Sequence, residues 1–184
     1  MRYTLIAVIA AVVLILLLVV VAYNGLVRRR NQVDNAWAQV DVQLRRRYDL
    51  IPNLVATVQG YAQHERATLE AVTTARAHAL RAGSTGELAV ADERLTGALR
   101  GLFAVIEAYP DLKSNTNFLQ LQAELGHTED RTAYARQYFN DAVLAYNNAV
   151  GTFPRSLVAG SFGFRTREYF RADGAASGPV SVRF

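Results

Sequence analysis

Residues 5–22 read LIAVIAAVVLILLLVVVA, an uncharged run that contains neither Pro nor Gly. Eighteen apolar residues in a helix are long enough to cross the hydrocarbon core of a bilayer. Fourteen of them are Leu, Ile or Val, so insertion is favourable by at most about 4 to 8 kcal/mol. The run therefore predicts a transmembrane helix that begins at Leu5, has Leu14 near its centre and ends at Ala22.

Aromatic and basic residues flank this run as they flank membrane spans. Tyr3 and Tyr23 stand about 30 Å apart at 1.5 Å per residue, which matches the two interfaces of a bilayer. The amino-terminal flank carries one arginine, Arg2, whereas three follow the run: Arg28, Arg29 and Arg30. Because basic flanks stay in the cytoplasm, we expect a single-pass protein of the cell membrane with its N-terminus outside. Residues 1–27 would be the anchor, and residues 28–171 would lie in the cytoplasm.

A cleaved signal peptide is the alternative interpretation, since Val20 and Ala22 are small enough for a signal peptidase. The apolar core of a signal peptide is about 7 to 15 residues long, however, and this run is longer. The helical pattern also continues through the would-be cleavage point. Both features favour a retained anchor.

Composition limits the chemistry of the remaining residues. The chain has 184 residues, no cysteine and a formal net charge of +4. It therefore has no disulfides, no thiolate chemistry and no lipidated cysteine. Residues 28–47 carry six Arg against two Asp, so the positive charge is concentrated next to the anchor. Orientation and anionic lipid headgroups explain such arginines, and we expect no nucleic-acid binding.

The segment after the anchor has the spacing of an amphipathic helix, with apolar residues at steps of three or four: Val33, Trp37, Val40, Leu44 and Tyr48. Ile51, Val55 and Val58 continue this pattern in phase, but Pro52 lies between them. It is compatible with a kink in one continuous helix, and also with a turn between two helices, because Asp49 could cap a second one. The spacing leaves both possibilities open.

Three further helical stretches are predicted, all with apolar residues on one face. One runs from Leu54 to about Leu80, and the next occupies the residues between Gly86 and Pro110. The last runs for about thirty residues from Phe118 and is predicted to be the longest helix of the chain. It contains Gly126, where we expect close packing or a local bend.

The helical pattern ends at Gly151, and aromatic residues then alternate with arginines as far as Arg171. This segment could fold back over the open end of a helix bundle. Alternatively, it could lie on the cytoplasmic leaflet or bind a partner. Residues 172–184 are rich in Gly and Ala and are predicted to be disordered.

Several motifs occur together in the order Ala36-Trp37, Asp49-Leu50-Ile51-Pro52-Asn53-Leu54-Val55, Tyr109-Pro110-Asp111-Leu112-Lys113 and Tyr138-Phe139-Asn140. With them, the chain from Tyr23 to about Phe170 resembles the LemA family of bacterial membrane proteins. The resemblance implies one transmembrane helix followed by a cytoplasmic antiparallel four-helix bundle with long helices. It also favours a turn near Pro52, because a continuous helix there would leave only three helices for the bundle.

The sequence offers few groups for catalysis. His64-Glu65 begins like a zinc-protease motif, but Thr68 stands where the second histidine ligand would be. Glu124 and His127 have the spacing of one half of a di-iron site, and no second pair follows. We therefore predict an all-α protein with no catalytic, cofactor-binding or metal site and no small-molecule substrate. A metal-dependent, hydrolase-like enzyme that uses these four residues is the alternative.

Amides beside the apolar faces are expected to bond to one another or to cap helices, or else to line a polar groove for a peptide: Asn31, Gln43, Asn53, Asn117, Gln122, Asn140 and Asn147. We predict a non-enzymatic, membrane-anchored scaffold or adaptor that presents a cytoplasmic surface to a protein partner or to a second copy. A bilayer-remodelling module that binds anionic lipid is another alternative. The candidate interaction residues are Gln43, Arg46, Arg47, Asp49, Pro52, Asn53, Tyr109, Pro110 and Asp111.

Overall fold

The computed structural model describes residues 1–171, and all regular structure in that part of the chain is helical. Six helices follow one another: α1 (Arg2–Gln59), α2 (Arg66–Arg81), α3 (Thr85–Ile106), α4 (Pro110–Lys113), α5 (Thr116–Gly151) and α6 (Arg155–Ser161). The predicted all-α fold, with a long N-terminal apolar helix and packed long helices, is confirmed. The predicted disordered segment, residues 172–184, lies outside the described residues.

Helix α1 continues without interruption through Pro52, so the predicted turn at that residue is wrong. A proline inside a helix has no N–H to donate to the carbonyl four residues earlier. Here that carbonyl belongs to Tyr48, and the Nε of Arg76 on α2 donates a hydrogen bond of 2.7 Å to it. The side chain of Arg76 thus replaces the helical donor that Pro52 lacks.

The chain instead leaves α1 at Gly60, and α2 begins at Arg66. The backbone N–H groups of Tyr61 and Ala62 both donate to the carbonyl of Val58, which closes the end of α1. Four long helices, α1, α2, α3 and α5, result even though α1 is continuous. The longest is α1 with 58 residues, so the prediction that the helix after Phe118 is the longest is also wrong, since α5 has 36.

The described chain forms two compact units, and α1 and α5 each contribute to both. The first unit combines Met1–Ala38 with Tyr138–Arg167. The second combines Gln39–Gln137 with the described residues 168–171. The predicted boundary between anchor and bundle at residue 28 falls inside α1 and stays a prediction.

The second unit is built around the apolar faces of α1, α2, α3 and α5, whose most deeply buried side chains are Val40, Leu44, Ile51, Leu54, Val58, Val72, Leu95, Leu102 and Phe118. Helix α3 begins at a capping arrangement in which the Ser84 hydroxyl accepts from the Glu87 N–H and the Glu87 carboxylate accepts from the Gly83 N–H. Gly126 lies inside α5 as predicted, but a Cβ there would meet no atom within 4 Å, so close packing does not explain it.

The first unit contains the apolar run of α1. Among the described residues, α1 is the one helix that is long and apolar enough to cross a membrane, and none of its most apolar window is buried in the structure. This agrees with a single-pass anchor. Beyond the run, α1 packs against the last turns of α5, where Trp37 and Phe139 place their ring centroids 5.3 Å apart. Helix α6, which the sequence did not predict, follows α5 after a cis Phe153–Pro154 peptide bond.

Candidate functional site

Four charged side chains from three helices meet inside the second unit, and we call them the ion cluster: Arg47 of α1, Asp92 of α3, and Glu129 and Arg136 of α5. Arg47 reaches Asp92 Oδ1 through Nη1 at 3.1 Å and Glu129 Oε2 through Nη2 at 2.6 Å. Arg136 forms an ion pair with the other oxygen of Asp92. Asp92 is completely buried, and only 3% of Arg47 is exposed.

The ion cluster holds two cations and two carboxylates, so it is formally neutral. Burial lowers the pKa of Arg47, and the charge of Glu129 opposes that shift. Burial also lowers the pKa of Arg136. Such a cluster adds little net stability compared with apolar residues, but the loss of one member leaves a buried charge without a partner and costs about 3 to 5 kcal/mol. Its members therefore depend on one another.

Tyr48 is buried beside the ion cluster. Burial raises the pKa of its hydroxyl to about 12, and the positive charges of Arg47 and Arg136 limit that shift. A tyrosine in this setting stays neutral at physiological pH. It therefore adds no charge to the cluster.

A groove of about 380 Å³ opens beside the ion cluster, between α3 and α5. Arg47 and Glu129 line it together with apolar and polar side chains of the two helices: Leu99, Arg100, Phe103, Gln122 and Leu125. Gly126 also lines it, and the open space around this glycine keeps the groove wide. Apolar and charged groups thus lie side by side on a surface that solvent can reach.

Polar contacts also join the ends of the helices in the second unit. The Tyr109 hydroxyl, just before α4, donates to Glu65 Oε1 at 3.1 Å, and this hydrogen bond raises the pKa of Tyr109. Asn115 Nδ2 donates to the Tyr61 hydroxyl at 2.9 Å. These contacts tie the loop after α1 to the connection between α3 and α5.

In the first unit, three aromatic rings meet directly after the apolar run. The ring centroid of Tyr23 lies 5.0 Å from that of Phe162 and 5.6 Å from that of Phe164, both edge to face. The guanidinium of Arg30 stands over Phe164, 5.5 Å from its centroid. Arg29 donates to the carbonyl of Ala145 at 3.4 Å. The predicted interface residue Tyr23 and two of the three flanking arginines therefore also pack against the C-terminal part of the chain.

The segment after α6 is fixed to α5 through Asn147. The amide oxygen of Asn147 accepts from the N–H of Arg167 at 2.8 Å, and its Nδ2 donates to the carbonyl of Arg167 at 2.9 Å. Arg167 then reaches Asp34 of α1 at 3.2 Å. The Asn147 amide therefore bonds to backbone atoms of the segment after α6 and not to another amide. Four other amides of the predicted set are exposed: Asn31, Asn53, Asn117 and Gln122. The expected roles of these four exposed amides stay predictions.

The structure separates the predicted interaction residues of α1. Arg47 is buried in the ion cluster, and Arg46 forms an ion pair of 2.8 Å with Glu124. Gln43 is half-buried, and its Oε1 lacks a hydrogen-bond partner among the described residues. The others lie on the exposed face of α1: Asp49, Pro52 and Asn53.

The other predicted interaction residues lie around α4 in the same unit, with Tyr109 half-buried and both Pro110 and Asp111 exposed. The structure thus places the predicted set in three locations: the ion cluster, the outer face of α1 and the end near α4. Their role in binding stays a prediction.

Sequence reasoning missed Asp92, Glu129 and the partner role of Arg136. A signal for Asp92 was present, because it lies four residues after Leu88 and three before Leu95, on the apolar face of α3. A carboxylate on an apolar face requires a buried cationic partner. That spacing could have directed attention to arginines on the inner faces of the other helices.

The residues weighed for an enzyme take other roles. Glu65 accepts from Tyr109, and Glu124 pairs with Arg46. His64 and His127 are exposed, as is His78. Within residues 1–171, no three His, Asp or Glu side chains come together as a metal site would require.

Comparison with known proteins agrees with the motifs. The profile of the LemA family matches residues 36–184. Magnetosome protein MamQ of Magnetospirillum gryphiswaldense is 26% identical over 184 aligned positions, which cover 86% of this chain and 68% of the relative. Protein LemA of Metamycoplasma hominis is 28% identical over 140 positions, which cover 74% of this chain and 63% of the relative. The family profile indicates no enzymatic family and covers well over half of the chain, and the chain therefore belongs to the LemA family.

Proposed function

We propose that this protein is a non-enzymatic, membrane-anchored scaffold whose second unit binds a protein partner or a second copy of the chain. The observation that carries the proposal is the open groove between α3 and α5, which apolar and charged side chains line together. Grooves of this kind accept an amphipathic helix, whose apolar face packs against the walls and whose charged groups pair at the rim.

The environment of the acidic groups supports the non-enzymatic part of the proposal. A general acid or base needs access to a substrate and a pKa near the working pH. Here Asp92 is fully buried between two arginines, and Glu129 is held by one of them. Glu124 is likewise engaged with Arg46. These ion pairs suit a structural role for the carboxylates.

Site-specific crosslinking in native membranes tests the proposal. A photoreactive amino acid at Gln122 would stand in the groove, and one at Arg131 is the matched control. Arg131 is also exposed, and nine residues of helix turn it about 180° away from Gln122. We expect a discrete crosslinked species from position 122 and none from position 131. Crosslinking of neither position, or of both equally, would contradict groove binding.

Substitution of Gly126 gives an independent test. A Cβ at this position meets no atom within 4 Å, so Gly126→Leu should fold while its side chain fills part of the groove. We expect the species crosslinked at position 122 to be lost in this variant. If crosslinking at position 122 were fully retained, the partner would have to bind outside the groove.

We also propose that the second unit lies in the cytoplasm, as the arginines after the span favour. Because the chain contains no cysteine, a single cysteine at the exposed Arg94 is a clean reporter. A membrane-impermeant maleimide should label it only after the cells are opened. Labelling of intact cells would show that the second unit lies outside the cytoplasm and would contradict the proposal.

A further inference from the structure

Three large apolar side chains near α6 are exposed, and we call them the apolar ridge: Phe153, Leu157 and Phe162. Their exposed fractions are 75%, 65% and 57%. Helix α6 buries only Val158 and Ala159 on its other side. Large exposed apolar side chains concentrated in ten residues of the chain are typical of a surface that contacts a membrane or another molecule.

The ridge lies next to the end of the apolar run within the first unit. Phe162 packs edge to face against Tyr23, which directly follows the run of residues 5–22. Gly163, with φ of 73°, ends α6 in a left-handed turn, and the N–H of Phe164 then donates to the carbonyl of Ala159 at 2.9 Å. This is the hydrogen bond of a Schellman motif. It fixes both phenylalanine rings against Tyr23.

The positive charge around the ridge favours binding to an anionic surface. Residues 142–167 contain three arginines and no Asp or Glu, and residues 1–33 likewise contain no acidic residue. Arg155, between Phe153 and Leu157, is exposed, as are Arg165 just after the ridge and Arg28. Basic residues next to exposed apolar side chains are the combination with which peripheral segments bind anionic bilayers.

We propose that the apolar ridge is a second membrane contact, which inserts into the interfacial layer of an anionic phospholipid bilayer beside α1. Interfacial segments bury their apolar face about 5 to 10 Å into the boundary between headgroups and acyl chains. Along α1, Tyr23 and Arg28 are separated by about 7.5 Å, which is the same depth. The inference rests on the proposed membrane anchoring, since the ridge is placed by its contact with the end of the span.

Tryptophan fluorescence in lipid vesicles tests the proposal on the full chain. The chain has one tryptophan, so Trp37→Phe gives a silent background. In that background we would introduce Phe153→Trp or Leu157→Trp and reconstitute each protein in vesicles of phosphatidylglycerol and phosphatidylcholine. Part of the phosphatidylcholine carries bromine near the ester end of its acyl chains, which quenches tryptophan at interfacial depth. We expect quenching of about twofold at both positions.

Two matched variants make the outcome decisive. Tyr138→Trp is a control in the same unit, exposed on α5 about 20 Å along the helix from Gly151, and should not be quenched. Leu14→Trp, near the centre of the apolar run, reports whether the anchor is inserted, in matched vesicles whose phosphatidylcholine carries bromine near the methyl end of its acyl chains. Quenching at Leu14 without quenching at the ridge would overturn this inference and leave the anchor in place. An unquenched Leu14→Trp would overturn the anchor itself.

Two further readings separate the possible occupants. A blue-shifted but unquenched tryptophan at Phe153 or Leu157 would mean that protein, such as a second copy, covers the ridge, and it would overturn the lipid proposal. In vesicles of phosphatidylcholine alone, we expect weaker quenching at Leu157. Unchanged quenching there would overturn the assignment to anionic lipid.

Discussion

The hydrogen bond from Arg76 to the carbonyl of Tyr48 should be the reason that α1 tolerates Pro52, and a double-mutant cycle can measure this. Removal of Arg76 leaves a partly buried carbonyl without a donor, which costs about 1 to 3 kcal/mol. Pro52→Ala restores a backbone N–H at the fourth residue after Tyr48 and removes a proline that costs about 3 kcal/mol in a helix interior. The two substitutions therefore act on one carbonyl.

We expect Arg76→Met to lower the free energy of unfolding by about 1.5 to 3 kcal/mol, because a hydrogen bond from a charged donor is lost. Pro52→Ala should raise it by up to about 3 kcal/mol. In the Pro52→Ala background, Arg76→Met should cost less than about 1 kcal/mol, so the two substitutions couple by at least about 0.5 kcal/mol. Arg94→Met is the control, since Arg94 is exposed in the middle of α3 and should change stability by less than about 0.5 kcal/mol.

The measurement is urea unfolding of the full chain in a mild detergent, followed by far-ultraviolet circular dichroism. Unchanged m-values between variants would show that the same transition is compared. The reasoning is refuted if Arg76→Met costs as much with Ala at position 52 as with Pro, because the side chain would then act independently of the carbonyl that the proline frees.

Three other perturbations have defined outcomes. Asp92→Asn should cost about 3 to 5 kcal/mol, because buried Arg47 and half-buried Arg136 lose their shared carboxylate. Asp130→Asn at an exposed site should change stability by less than about 0.5 kcal/mol, and equal effects in urea unfolding would contradict the role of burial. Gly163→Ala should lower the melting temperature, since a Cβ on a residue in the left-handed region costs about 1 to 2 kcal/mol. Gly160→Ala, inside α6, should instead raise the melting temperature. Stability should also fall as the pH rises from about 10 to about 12, because folded Tyr48 holds its proton with a pKa of about 12 and the unfolded chain loses it first. The loss of stability amounts to at most about 3 kcal/mol. In Tyr48→Phe, the free energy of unfolding should depend less on pH in this range. An unchanged dependence would mean that other groups cause the loss.

Periodicity predicted the helices of this protein well, because a buried face imposes a repeat of three or four residues whatever the partner helix is. It could not decide what happens at Pro52. The outcome there depends on Arg76, a donor 24 residues further along the chain, and tertiary contacts of this kind leave no local pattern. The resemblance to the LemA family supplied the correct number of long helices but not the position of the break, which is at Gly60.

The candidate site was only partly accessible to sequence reasoning. Arg46 and Arg47 were both singled out as candidate interaction residues. Although they are neighbours on α1, the side chain of Arg46 is exposed and that of Arg47 is buried. The partners Asp92 and Arg136 stand 45 and 89 positions from Arg47, and only the folded chain brings them together. Helix α6 was missed because it has seven residues, too few to establish a period.

The position of Asp92 between two arginines also determines how the helices can be aligned. If α5 slid by one turn, about 5.4 Å, Thr132 or Asn140 would face Asp92 in place of Arg136. If α1 slid by one turn, Gln43 or Ile51 would replace Arg47. Each misaligned packing would keep most of its apolar contacts but would deprive the buried carboxylate of one of its two cations. A single acidic residue thus excludes the neighbouring registers of two helices, which the repeating apolar faces alone would permit.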